Sequence, residues 1–357
     1  MAQKIAVVLF QLGGPDSPEA VKPFLYNLFR DPDIIDFPGA FLGRRIFAKV
    51  ISTLRTNVVG EHYKEIGGSP ILELTNRQAA ALEASLRKEG IDATVLVAMR
   101  YWHPMTDEAV RAVKAGSFDK VILLPLYPQF SQATTYSSMN EWNRQTRKQN
   151  LNGTPAQLIC CYPNHPQLIE AFVDNINLAL RRFKNVRQDE VDLLFSAHGV
   201  PVEFIENGDP YQLQIEETVR RVVEQGRWKS QHVLCYQSRV GKQQWLGPSL
   251  LETIEQRATS GSRHMLVVPI AFVTEHIETL HEIDIEAREH AEQRGGAQFE
   301  MMPALNDHPK FIACLTDLVL ARLHSRFDPV SKCERLRQEH PERPNPTLCP
   351  WYGKQPG

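Results

Sequence analysis

Six short runs dominated by Val, Ile and Leu punctuate this chain, at residues 5–12, 93–99, 120–126, 191–196, 232–236 and 265–270. A short apolar run without polar alternation is what a strand buried on both faces looks like. Segments of helical period separate most of the runs, among them 72–88, 107–115 and 167–182. Strands alternating with helices confine a chain to parallel sheets covered on both faces. The chain has 357 residues, enough for two such units sharing a cleft. The expected fold class is therefore α/β and two-lobed.

The halves echo each other. Leu9-Phe10-Gln11-Leu12-Gly13-Gly14-Pro15 is similar to Leu194-Phe195-Ser196-Ala197-His198-Gly199-Val200-Pro201, and 123–127 is similar to 267–271. If the echo is a duplication, the first half carries about 41 extra residues, between roughly 26 and 69. Chance likeness between apolar strands is the alternative. A break is expected near 150–155. That gives a first lobe over 1–150 with an insertion, a second over 151–302, a helix over 303–325 packing back on the lobes, and a tail over 326–357. Six prolines make that tail irregular.

Several classes of function drop out. Lys and Arg number 40 against 42 Asp and Glu, so no concentrated basic face favours nucleic acid. The apolar run at 5–12 is short, is interrupted by Gln11 and leads into Gly13-Gly14-Pro15, which suits a strand rather than a signal peptide. No run approaches the roughly 18 apolar residues of a membrane helix. The six cysteines show no C-x-x-C pair and fit reduced thiols of a cytosolic protein.

Ligands of open parallel sheets bind beyond the carboxyl ends of the strands. Five segments fall at such ends: 11–15, 99–104, 125–135, 196–201 and 269–282. The first is not a G-x-G-x-x-G, so a dinucleotide has little support. A plain turn and a ligand contact are equal readings of it. His198 stands at a strand end beside Gly199, placed to titrate near neutrality or to ligate a metal. A structural histidine is the even alternative. The segment 274–286 tips that balance. It reads as a helix in which Glu278, Glu282 and Glu286 recur every four residues. Like charges at that spacing repel, and no Lys or Arg interleaves them. A locally wider π-type turn would align them better, and such turns favour functional sites. A row of this kind could carry a cation or relay protons.

Single residues are weaker candidates. Arg55, Tyr63 and Ser69 could hold an anionic substrate, though each alone is more often an ordinary surface residue. Arg100 and Tyr101 end a strand and suit a cleft. Trp245 stacks on a flat ligand or packs in the core. Residues 37–54 are apolar and basic, which suits an exposed lip for a greasy ligand or a membrane surface. An amphipathic core helix is the equal alternative.

The ordered set Leu12-Gly13-Gly14-Pro15, Gly67-Gly68-Ser69-Pro70, Met99-Arg100-Tyr101, Leu124-Pro125-Leu126-Tyr127-Pro128-Gln129, Ser196-Ala197-His198-Gly199, Tyr236-Gln237-Ser238-Arg239-Val240-Gly241 and His276-Ile277-Glu278-Thr279-Leu280 resembles the ferrochelatase family over about residues 5–325. The resemblance implies two Rossmann-like lobes around a porphyrin cleft. It implies a lyase that inserts ferrous iron into protoporphyrin IX, the last step of haem synthesis. His198 and Glu278 match the iron-binding catalytic pair, and Glu275, Glu282 and Glu286 an acidic path. Leu12, Tyr63, Ser69, Arg100, Tyr101 and Trp245 match residues near the macrocycle, and Arg55 and Ser69 groups that meet the propionates. Iron is substrate, and no cofactor is required. A [2Fe–2S] cluster, held in some members by four cysteines, is not expected. The internal cysteine of the animal pattern is Ala171 here, and the tail offers only Cys333 and Cys349. A cytoplasmic enzyme touching the inner face of the membrane through 37–54 is the expected setting. A porphyrin carrier without chemistry is the rival class, but it has no need of a repulsive carboxylate row.

Overall fold

The computed structural model describes residues 3–35, 41–151, 153–239, 241, 243–325, 338 and 347. Cys333, Cys349 and nearly all of the expected tail lie outside the described residues, as does the start of the expected lip. In chain order the described elements are β1 (Ile5–Gln11), α1 (Val21–Phe29), α2 (Phe41–Glu65), α3 (Ile71–Lys88), β2 (Ala93–Met99), α4 (Thr106–Gly116), β3 (Lys120–Pro125), α5 (Ser137–Lys148), β4 (Ala156–Leu158) and α6 (Pro166–Leu180). There follow β5 (Val191–His198), α7 (Val202–Glu206), α8 (Tyr211–Gly226), β6 (His232–Gln237), α9 (Leu250–Thr259), β7 (His264–Pro269), α10 (Ile277–Leu280), a π-helical segment (Glu282–Ala287), α11 (Arg288–Gln293), β8 (Gln298–Met301) and α12 (Pro309–Leu323).

The strands form two parallel four-stranded sheets of one topology, β2-β1-β3-β4 and β6-β5-β7-β8. In β1 every residue is buried. Ile5, Val7 and Leu9 face one apolar cluster and Ala6, Val8 and Phe10 another. That is the period of two expected of a strand covered on both sides. The first lobe extends further than a break at 150 allows, because β4 pairs with β3 and belongs to the first sheet. Neither β4 nor β8 carries an apolar run. Both are short edge strands whose polar residues (Gln157, Gln298, Glu300) are only partly buried.

The extra length of the first half is α1 and α2, which have no counterpart between β5 and β6. Hydrogen bonding also fixes how the halves correspond. Leu126 N–H donates to Phe10 O, and Ile270 N–H donates to Ser196 O. Phe10 therefore matches Ser196 rather than Phe195, and Leu12 matches His198.

Two helices cross between the sheets. α6 leaves the first sheet but packs on α8 and β7, and α12 leaves the second but packs on α3, β3 and α6. The apolar cluster between the sheets is consequently shared. It joins Leu82 and Leu86 of α3, Phe172 and Ile176 of α6, Ile215 of α8, and Phe311 and Leu315 of α12. Each such side chain contributes about 1.5–3 kcal/mol when fully buried, so the two halves are held by a continuous core.

Candidate active site

The carboxyl ends of β1, β5, β6 and β7 bring the expected segments together. Beyond β1, Gly13 has φ +89°, and a Cβ there would lie 3.1 Å from Trp102 N, so only glycine makes this turn. A Cβ on Gly14 would lie 2.3 Å from Ser69 Oγ. This close approach seats Ser69 against the turn, where its hydroxyl is buried and finds no hydrogen-bond partner among the described residues.

His198 ends β5. Its Nδ1 lies 2.5 Å from Gly199 O. A carbonyl only accepts, so Nδ1 donates to it. Nε2 faces Glu278 Oε1 at 3.6 Å. The His198 carbonyl accepts from Tyr211 Oη at 3.1 Å, and Trp245 lies over Gly199, 3.3 Å from the site of a Cβ. On its other side Glu278 Oε2 meets His276 Nε2 at 3.1 Å. His276 Nδ1 lies 3.0 Å from Thr274 O. Both nitrogens of this buried ring face acceptors, so it is held as an imidazolium. Burial works against that charge, and Glu278 and then Glu275 outweigh it. Burial likewise works against ionised Glu278, but His198 and His276 hold its carboxyl down to about 2. The phenols of Tyr63, Tyr127 and Tyr211 are pushed up by burial first, with the Glu278 charge among the further causes. Aromatic walls thus surround one ionised carboxylate.

The acid helix is α-helical only over α10 and then widens into the π segment. The end of this turn is marked by Ile285 N–H and Glu286 N–H both reaching His281 O. Glu282 tolerates its neighbours because Gln237 Nε2 donates to it at 3.0 Å and Ser238 Oγ also donates. Burial and then the Glu278 charge push its carboxyl upward. Glu278 and Glu282 are therefore shifted in opposite directions. Glu286 is exposed at the outer end. Glu275 does not join this row. It is buried, and its oxygens accept from Ala304 N–H (2.7 Å) and from Thr279 Oγ, which makes it a tie to the segment before α12.

The other expected residues divide. Leu12 and Tyr63 pack with Ile277, beside Glu278. Tyr101 does not face a cleft. It is fully buried, and its hydroxyl donates to Asp31 at 2.6 Å. Arg100 pairs with the same Asp31 at 2.8 Å and donates to Ser137 Oγ at 2.7 Å. Arg55 is exposed on α2. Sequence reasoning missed His276, Gln237, Ser238 and Tyr211 as site residues. Gln237 is the hub: it accepts from Ser196 Oγ at 2.8 Å and donates to Glu278 O at 2.7 Å as well as to Glu282. Its place at the end of β6, inside a quoted motif, was the signal available.

The Ferrochelatase family model matches residues 4–323. Ferrochelatase of Thermosynechococcus vestitus is 46% identical over 325 residues, 89% of this chain and 82% of its own. Ferrochelatase of Picosynechococcus sp. is 45% identical over 88% of this chain and 82% of its own, and that of Hyphomonas neptunium is 45% identical over 90% and 89%. Among solved structures, SirB from Bacillus subtilis, determined with Fe3+, superposes with a TM-score of 0.54 at 12% identity, covering 92% of this chain and 99% of its own. That likeness supports the two-sheet fold alone. With a family match over nearly its whole length and relatives this similar, the chain belongs to the ferrochelatase family.

Proposed function

We propose that this protein inserts Fe2+ into protoporphyrin IX, forming protohaem and releasing two protons. The observation that carries this is the His198–Glu278–His276 constellation at a strand end, set at the head of a row of acids, in a chain of this family. Insertion needs an acceptor for two pyrrole protons and ligands that replace water around the ion. His198 takes a pyrrole proton or holds the incoming ion. Glu278 is the anion facing it. Glu282, whose carboxyl is shifted the other way, hands protons outward or iron inward, and Glu286 continues the row. Neighbouring acids with opposite shifts are what a relay requires. A planar free base presents its nitrogens poorly, so the cleft should fit a distorted macrocycle best. The orphaned Ser69 hydroxyl and the Arg55 guanidinium are the groups for the propionates, and Trp245, Leu12 and Tyr63 are apolar walls. Arg100 and Tyr101, tied to Asp31, brace the cleft from behind.

A membrane contact goes with this reading. Along α2, Ile46, Val50, Leu54 and Val58 recur every four residues and are 63%, 52%, 70% and 57% exposed, with Arg45 and Lys49 also exposed beside them. An apolar stripe with basic neighbours suits an anionic bilayer surface. No helix among the described residues is long and apolar enough to cross a membrane. We place the protein in the cytoplasm, resting on the inner face through this stripe.

Anaerobic incubation with Fe2+ and protoporphyrin IX or coproporphyrin, following loss of porphyrin fluorescence, tests the activity and its substrate. His198→Ala should abolish metallation while the porphyrin still binds. Near-normal turnover in that variant would sink the assignment.

A further inference from the structure

We propose a second site for a divalent transition ion, formed by His62, His281 and Glu286 at the outer end of the acid row. One donor atom from each of the three lies within 4.8 Å of the others. His62 comes from the end of α2, and its ring stacks on that of His281 with centroids 3.9 Å apart and planes 16° apart. In an α-helix, residues five apart stand roughly 140° around the axis. The π turn brings His281 and Glu286 to one edge instead, with Glu286 N–H donating to His281 O at 2.9 Å.

The His281 side chain is only 4% exposed. Its Nε2 donates to Glu65 Oε2 at 2.7 Å. A ring that donates from Nε2 there has Nδ1 left to offer a metal. That buried Nδ1 has no hydrogen-bond partner and faces Glu286 Oε1 at 3.6 Å. A cation between that nitrogen and the Glu286 carboxylate would satisfy both. The Glu65 contact is the carboxylate–imidazole support that orients metal-ligating histidines. Two imidazoles and one carboxylate suit Fe2+, Co2+ or Zn2+ rather than Mg2+ or Ca2+. Ligand bonds of about 2.0–2.2 Å need the donors to close in, and half-exposed His62 and exposed Glu286 are free to swing. Arg55 is a cation near His62, and Glu65 and Glu286 set negative charge against it. Glu286 belongs to this triad and to the acid row, so an ion held here stands at the entrance to Glu282 and Glu278. Only that direction of transfer rests on the proposed function; binding does not.

The test uses the full chain, metal-free and without porphyrin, in a His198→Ala background that disables the inner pair. Anaerobic titration with Co2+, read by its visible absorption bands, should show one equivalent bound. His62→Gln in that background should weaken it at least tenfold, and Glu286→Gln should do the same. Both side chains reach solvent, and matched melting curves establish that the fold is intact. Isotherms that superimpose with and without His62→Gln overturn the site, as does a His198→Ala protein that binds no Co2+. Normal Co2+ binding in a parent protein that metallates no porphyrin would strike the proposed function and leave this site standing.

Discussion

Asp209 links the two lobes just behind His198. Its Oδ2 accepts from Ser131 Oγ (2.8 Å) and Gln132 N–H (2.7 Å), and its Oδ1 accepts from Tyr211 N–H (3.0 Å). Tyr211 in turn holds the His198 carbonyl. Burial pushes the Asp209 carboxyl from 3.8 to about 6, although the three hydrogen bonds pull the other way. Between those values the folded protein keeps a proton that the unfolded chain has lost. The resulting stability is fully present below about 3.8 and is lost as pH rises through about 6. At ~1.4 kcal/mol per pH unit the difference amounts to ~3 kcal/mol. Asp209→Asn cannot ionise, so its own loss of hydrogen bonding is independent of pH. Urea denaturation of both proteins, followed by tryptophan fluorescence from pH 4 to 7.5, isolates the effect, since other titrations cancel in the difference. The shared core between the sheets should make each transition cooperative. The stability difference should move ~3 kcal/mol in favour of the variant as pH rises. A difference constant to within about 0.5 kcal/mol, the size of an ordinary surface effect, would refute the reasoning.

Other perturbations separate the roles assigned above. Glu282→Gln should slow iron insertion without abolishing porphyrin binding; a variant that only melts earlier would make the acid row structural. Gly14→Ala forces its new methyl into Ser69 Oγ, and porphyrin affinity measured by fluorescence quenching should fall about tenfold, ~1.4 kcal/mol; unchanged affinity would take Ser69 out of the site. Ile46→Ser with Leu54→Ser removes exposed apolar side chains, on the order of 1 kcal/mol each at a bilayer. Co-sedimentation with anionic vesicles should drop about tenfold or more while turnover of soluble substrate holds; equal sedimentation would end the membrane reading.

The legible part of the fold is the part that local chemistry dictates. Strands buried on both faces must be continuously apolar, so β1 and β5 announce themselves. β4 and β8 are short and carry partly buried polar residues, so they read like loops. Likeness of letters set Phe10 on Phe195, and only the hydrogen bonds of Leu126 and Ile270 moved it to Ser196. His198 and Glu278 were visible because a strand end and a repulsive helix are features of local sequence. Tyr101 and Glu275 were misplaced for the opposite reason. Their partners, Asp31 and Ala304, lie 70 and 29 positions away, and nothing local tells a buried tie from a ligand contact. Gln237 was hidden likewise, since its three partners come from three separate elements.

The crossing of α6 and α12 has a consequence in time. A ribosome makes the first sheet early, yet Leu82 and Leu86 of α3 are covered by α12, the last described helix of length. Until residues 309–323 emerge, the first lobe shows the cell an uncovered apolar flank. The nascent chain is therefore a ward of its chaperones for nearly its whole synthesis, and a message truncated after β8 should yield a protein that is degraded rather than half active.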